Sequence, residues 1–146
     1  MDTSDLNLSL LFPRLTDSNY HITSPVTEGY NCIAWAAEDD QRWWWPTRDD
    51  GYWPPNAPRS ETVESFVLAF KTLGYEVCDN GEMEEQCNKI ALYVDDGGSP
   101  THMARQLQNG FWTSKLGNFH DITHKDPYVV AEGVYGTVKC FLKKQR

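Results

Sequence analysis

Residues 101–116 read Thr101-His102-Met103-Ala104-Arg105-Gln106-Leu107-Gln108-Asn109-Gly110-Phe111-Trp112-Thr113-Ser114-Lys115-Leu116. The run from His102 to Leu107 has the alternation of a half-buried strand. Asn109-Gly110 follows, the pair that a two-residue hairpin turn selects because both positions need positive φ. Phe111 to Leu116 then returns as the partner strand. Upstream, Ile90 to Val94 is an apolar run closed by Asp95-Asp96-Gly97-Gly98, a strand and its turn. Tyr75 to Cys78 reads as a short strand and Tyr135 to Leu142 as the last one. The expected sheet is antiparallel, with strands over 90–94, 102–108 and 111–116.

Helices are expected before these strands. Residues 31–40, Asn-Cys-Ile-Ala-Trp-Ala-Ala-Glu-Asp-Asp, are rich in alanine and place Cys32, Trp35 and Ala36 on one face. Gly29 and Asn31 supply the turn and cap. The acidic end, Glu38-Asp39-Asp40, opposes the helix dipole. Residues 60–73 form the second helix. Ser60 caps it, Val63, Phe66, Val67, Phe70 and Leu73 trace its apolar face, and Gly74 ends it. Between them, residues 41–58 hold Trp43-Trp44-Trp45-Pro46 and Asp50-Gly51-Tyr52-Trp53-Pro54-Pro55, the punctuation of a long loop. Residues 1–29 read as an irregular N-terminal wrap, with Leu6, Leu8, Leu10 and Leu11 as a short strand or helical turn. Helices first and strands afterwards predict one α+β domain over 1–146, with N-terminal helices packed on an antiparallel sheet.

Composition narrows the class. A chain of 146 residues, 40% hydrophobic and 13% aromatic, can bury a core of its own. Its net charge of −8 repels phosphate backbones, so nucleic acid is not expected as a partner. The longest apolar runs, such as Phe66 to Phe70, are far too short to span a bilayer, and no membrane partner is expected. Met1-Asp2-Thr3-Ser4-Asp5 lacks the basic and apolar parts of a secretory signal, and the expected location is the cytoplasm. Cys32, Cys78, Cys87 and Cys140 include no CxxC pair, so thiols are expected, and no metal or other cofactor.

One constellation carries chemistry. A thiol becomes nucleophilic when its thiolate is stabilised by nearby N–H groups or an imidazolium. Cys32 falls in the first turn of the first helix, and His102 begins a strand. A third group would accept a hydrogen bond from the imidazole and set its tautomer. Asp121 is the charged candidate and is favoured; Ser114 lies on the neighbouring strand. Cys78, Cys87 and Cys140 read as small core residues. His120 and His124 read as loop-anchoring polar groups, because their spacing lacks the tight Cys pairs of structural zinc sites.

The order of a helix-borne Cys, a strand-borne His and a later polar group resembles the papain-like superfamily, with the small NlpC/P60-type members nearest in size. More narrowly, Asn31-Cys32-Ile33-Ala34-Trp35-Ala36, Thr101 to Leu107 and Trp112-Thr113-Ser114-Lys115-Leu116-Gly117 resemble an uncharacterised bacterial family with NCIAWA, THAARQL and WTSKLG motifs. An Asp-Ile-x-His element follows there, here Asp121-Ile122-Thr123-His124. The resemblance covers residues 31 to about 140. This narrower resemblance brings no activity with it; the papain-like one implies a papain-like fold with Cys32 as nucleophile and His102 as base. The chain departs from NlpC/P60 domains in carrying Asn31 where they have Asp, and Ser114 near the place of their second His. Papain has Asn as its third member, and the nearest Asn here is Asn118.

The aromatic loop supplies the substrate wall in this reading. Trp43 to Trp45 are assigned to packing, and Tyr52 and Trp53 to the side of a cleft. Asn31, or the Cys32 N–H, is the expected oxyanion donor. Arg105 and Lys115 are expected on a solvated face. The expected function is a cysteine-dependent hydrolase or acyl transferase, of protease, amidase or deamidase type, acting on an amide bond of a protein or peptide. The alternative is a non-enzymatic acidic interaction domain, of immunity or inhibitor type, whose partner is a protein.

Overall fold

The computed structural model describes residues 11–16, 18–24, 28–116 and 120–146. Leu6, Leu8 and Leu10, and also Gly117 and Asn118, lie outside these residues. The described chain runs β1 (Tyr20–Ile22), α1 (Cys32–Ala36), α2 (Val63–Lys71), β2 (Glu76–Cys78), β3 (Cys87–Val94), β4 (Pro100–Gln106), β5 (Trp112–Lys115), β6 (Asp121–His124), a 3-10 turn (Pro127–Val130) and β7 (Thr137–Gln145). The strands form one sheet in the order β1-β6-β5-β4-β3-β7-β2, and every neighbouring pair is antiparallel.

This corrects the expected α+β, papain-like arrangement of N-terminal helices on a sheet. The molecule is mostly antiparallel sheet, and α1 and α2 hold only five and nine residues. The helix expected over 31–40 stops at Ala36. Glu38 takes φ 64°, and Asp39 is turned to other use. Its carboxylate accepts from the Gln41 N–H, from Arg42 Nε at 2.7 Å and from Trp44 Nε1 at 2.8 Å. An acidic run has no favourable interaction with a helix C-terminus, and here it builds the turn into the loop instead. The second helix runs over Val63–Lys71 rather than 60–73, because Thr62, not Ser60, caps it through the Ser65 N–H.

Strands gain what helices lose. β7 extends to Gln145, pairs with β3 along its length and carries β2 on its outer side. β1 and β6 add a further pair, with Tyr20 opposite His124, so part of the stretch 1–29 expected to be irregular is strand. The loop over 41–58 is a loop, pinned by the Trp44–Tyr52 bridge and by burial of Trp44 and Trp53.

Side chains alternate across the sheet and split the core in two. On one face Ile90, Leu92, Met103 and Leu142 pack with Cys32, Ile33, Phe66 and Phe70 of the helices. On the other face Ala91, Tyr93, Ala104, Trp112 and Ile122 pack with Phe12, Leu15 and the 3-10 turn.

Candidate functional site

Cys32 is the first residue of α1, and Asn31 holds it there. The Asn31 Oδ1 accepts from the Ala34 N–H at 3.1 Å, capping the helix, and from the Trp44 N–H at 3.1 Å. Its Nδ2 donates to Trp44 O at 2.8 Å. The side chain expected as an oxyanion donor is therefore committed to fastening the aromatic loop to the helix start. The thiol is 6% exposed and opens on a cleft of about 340 Å³ lined by Thr101, Trp43, Trp45, Arg48 and Tyr135. The cleft walls are Trp43 and Trp45, not the expected Tyr52 and Trp53. Trp53 is buried against Phe66, with its Nε1 on Pro58 O, and Tyr52 packs on Trp44 under the Arg42 guanidinium.

The Cys32 Sγ donates to Thr101 O at 4.0 Å, a weak bond. Burial pushes the thiol up to about 11, against the lowering effect of the Met103, Ile33 and Cys32 N–H groups and of the Lys115 charge. At neutral pH it rests protonated.

His102 is fully buried. Its Nε2 lies 2.9 Å from Ser114 Oγ, and Ser114 Oγ lies 2.8 Å from His124 Nε2. His124 Nδ1 lies 2.8 Å from Asp126 O. A carbonyl only accepts, so the His124 Nδ1 carries the hydrogen and its Nε2 is bare. Ser114 has one proton and gives it to that Nε2. Ser114 Oγ then accepts from His102 Nε2–H. The chain thus leaves His102 Nδ1 as a bare lone pair, and this nitrogen has no hydrogen-bond partner among the described residues. Burial and then His124 hold the His102 imidazole well below its ordinary pKa. Burial takes His124 down to about 4, opposed by the carbonyl and charge of Asp126.

Ser114, not Asp121, is thus the group on His102. Asp121 accepts from the Tyr30 hydroxyl and stands opposite Lys115 in the β5–β6 register. Lys115 is fully buried on this face, with its Nζ 5.4 Å from the Tyr30 ring centre, rather than on the expected solvated face. Arg105 is also largely covered, its Nε on Trp35 O at 3.3 Å.

The thiol and the imidazole share no hydrogen bond. Cys32 packs on the face of Met103 and Leu92, whereas His102 projects with Tyr93 to the other. Both lie against one stretch of backbone, Thr101 to Met103. The register steps from Tyr93↔His102 to Val94↔Pro100, leaving Thr101 as an extra, bulged residue. Such bulges re-aim neighbouring side chains. Tyr135 connects the two sides: it lines the thiol cleft and lies flat on the His102 ring, with centroids 3.9 Å apart.

His124 and Tyr135 are the residues that sequence reasoning missed. A strand reading of Asp121-Ile122-Thr123-His124 would have set His124 on the Ile122 side, away from Asp121. His120 goes elsewhere, its Nδ1 3.0 Å from Ser24 O. Among the described residues no group of three or more His, Cys, Asp or Glu is placed to hold a metal ion. No helix among them is long and apolar enough to cross a membrane.

The chain belongs to the family described as Domain of unknown function (DUF7689), whose model matches residues 21–143. The family match carries no relationship to papain-like enzymes, in line with the departure in fold. No curated protein and no solved structure matches the chain.

Proposed function

We propose that the protein is a cysteine-dependent acyl-transfer enzyme, a hydrolase or transferase acting on an amide bond, with Cys32 as nucleophile and His102 as base. The supporting observation is the tautomer. Ser114 and His124 hold the His102 Nε2–H, so the basic nitrogen is the unpartnered Nδ1, and the thiol rests against the peptide groups on either side of this residue. The reading requires the thiol to leave Thr101 O and to come from the face of β4 on which it packs within reach of His102 Nδ1, to which it gives its proton. The sulfur bonds to the acyl carbon, and the carbonyl π pair moves to oxygen. Collapse expels the amine, which takes the proton. Water or a second amine then releases the acyl group with the same base. The aromatic walls of the cleft suit a protein or peptide substrate with a bulky apolar group beside the amide.

Alkylation of the native protein with iodoacetamide, mapped by mass spectrometry, tests this reading. Selective modification of Cys32 near neutral pH is expected, with loss in His102→Gln. Modification of Cys32 only after unfolding overturns it.

A second reading has its own support. The thiol, raised to about 11 by burial, suits a packed residue in a non-enzymatic domain that binds a partner protein through the Trp43–Trp45 surface. Unfolding-dependent alkylation is the outcome it expects.

A further inference from the structure

A second cleft, of about 490 Å³, opens between the segment 79–83 and the turn 125–128, on the sheet face of Trp112 and Phe141. It shares no lining residue with the thiol cleft. Gly81 sets its shape. A Cβ at that position would lie 2.6 Å from the Phe141 ring, so a glycine is what lets the segment lie on the ring. Lys89 holds the same segment down through Asn80 and Glu84. The segment thereby presents Gly81 O to Gln106, whose Nε2 donates to it at 2.9 Å. A carbonyl only accepts, so this bond fixes which end of the Gln106 amide is nitrogen. The other end, Oε1, is buried and has no hydrogen-bond partner among the described residues. Gln106 is 8% exposed and lines the cleft. A buried amide oxygen without a donor is unfavourable, and it points to a donor that comes from outside the chain.

The other lining groups give the sign and shape of that donor. Asp79 and Glu82 come from one wall and Asp126 from the other, against Lys125 as the one cation lining the cleft among the described residues. None of the three carboxylates is in an ion pair among the described residues. Met83 and Tyr128 stand on the same two walls and are 45% and 49% exposed, unusual values for large apolar side chains. The Asp126 Oδ1 accepts from the Tyr128 N–H at 2.8 Å, which ties this carboxylate to the turn that carries the ring. We propose that the cleft binds an arginine side chain on a basic segment of a partner protein. A guanidinium is flat, stacks on aromatic faces and carries five N–H donors, so it can serve the buried Gln106 Oε1 and a rim carboxylate together. An ammonium has no plane to lay on a ring. Free arginine brings a carboxylate that the acidic rim repels, and an arginine within a peptide does not. The net charge of −8 draws such a basic segment in.

The test titrates the nitrogen-labelled full chain with a Gly-Arg-Gly tripeptide blocked at both ends. NMR follows the side-chain amide of Gln106 and the indole N–H of Trp112. The comparison ligands are the same peptide with citrulline or lysine in place of arginine, and free arginine. Saturable shifts at both groups are expected with the arginine peptide. Binding should be at least about tenfold weaker for the citrulline peptide and for free arginine, and at least about threefold weaker for the lysine peptide. Asp79→Asn combined with Glu82→Gln changes exposed positions only, and should weaken the arginine peptide about tenfold and flatten its salt dependence. Gln106→Met keeps the length of the side chain, removes the acceptor and should weaken binding by about as much. If Gln106→Met does not fold, the rim variant and the ligand series still decide. No saturable shift at Gln106 and Trp112 overturns the proposal. So does equal binding of the arginine and lysine peptides, which would show attraction to an acidic surface without a site, and so does equal binding of the arginine and citrulline peptides.

Discussion

Tyr135 lies parallel to His102, at 6° and 3.9 Å between centroids, and so forms both a wall of the thiol cleft and the cover of the imidazole. This ring, with Tyr93 and Ser114, keeps the histidine dry. Since burial is the leading cause of the low His102 pKa, Tyr135→Ala should raise that pKa toward the ordinary value of about 6.5. The lost packing should also cost about 2–3 kcal/mol. Histidine NMR titration with urea unfolding checks both, and an unmoved His102 titration would assign its dryness to other neighbours.

Two buried neutral histidines make stability depend on pH. In the unfolded chain both titrate near about 6.5. In the fold His124 waits until about 4 and His102 until lower still. As pH falls below the unfolded value, the unfolded chain binds protons that the folded chain refuses, so stability drops. His124 alone should remove about 3 kcal/mol between those limits, after which its contribution is constant. Urea midpoints at about pH 7 and about pH 5 should differ accordingly, with a shallower dependence in His124→Gln. Equal midpoints in the wild-type protein would contradict the assigned protonation states.

Asn31→Ala should be costly, because Asn31 is buried where the loop meets the helix. It removes the cap of a five-residue helix and the three bonds to Ala34 and Trp44. A cap contributes about 1 kcal/mol, and leaving the Trp44 peptide groups unpaired adds about 1–3 kcal/mol. Faster amide exchange at Ala34 and Trp44 should accompany the lower denaturation midpoint. A loss of stability without faster exchange at these two amides would place the effect elsewhere.

Lys89 is 1% exposed, and its Nζ reaches Glu84 at 2.6 Å, Asn80 O at 3.1 Å and Asn80 Oδ1 at 3.2 Å. One ammonium therefore ties down the segment 79–86. Lys89→Met keeps the apolar stem and removes the anchor. We expect a stability change of no more than about 2 kcal/mol, together with faster limited proteolysis within 79–86. Unaltered cleavage would show that the segment is held by its other contacts.

Gly136 takes φ 75°, and a Cβ there would lie 2.0 Å from Val94 O. Gly136→Ala must move backbone beside both Tyr135 and the end of β3. A loss of about 2–3 kcal/mol in chemical denaturation is expected. A wild-type midpoint would show that this turn yields without strain.

Much of the local structure is legible in the chain because its causes are local. The chain turns through Gln108-Asn109-Gly110, a three-residue loop in which Gly110 alone takes positive φ, at 90°, and the strands on either side form within two residues of their expected limits. Val63, Phe66 and Phe70 define α2, and Asn31 caps the helix that begins at Cys32. The share of helix is not legible in the same way. Glu38-Asp39-Asp40 stops α1 because Asp39 finds Arg42 and Trp44, contacts that depend on where the loop returns.

By itself the sequence determined that Cys32 would start a helix, that His102 would sit in a strand and that Ser114 would lie on the strand beside it, since caps, turns and period-2 alternation act over a few residues. Only the tertiary structure decided what these side chains meet. Asp121 and Ser114 were both within reach of His102 in the chain, but the β5–β6 register sets Asp121 opposite Lys115 and Ser114 opposite Ile122. Neighbouring positions in a strand face opposite sides, so that register sends the carboxylate to Tyr30 and the hydroxyl to His102 and His124. A shift of β6 by one residue would have turned Asp121 to the face that Ser114 occupies, and pairing between strands, not any local preference of residues 121–124, keeps the carboxylate off that face.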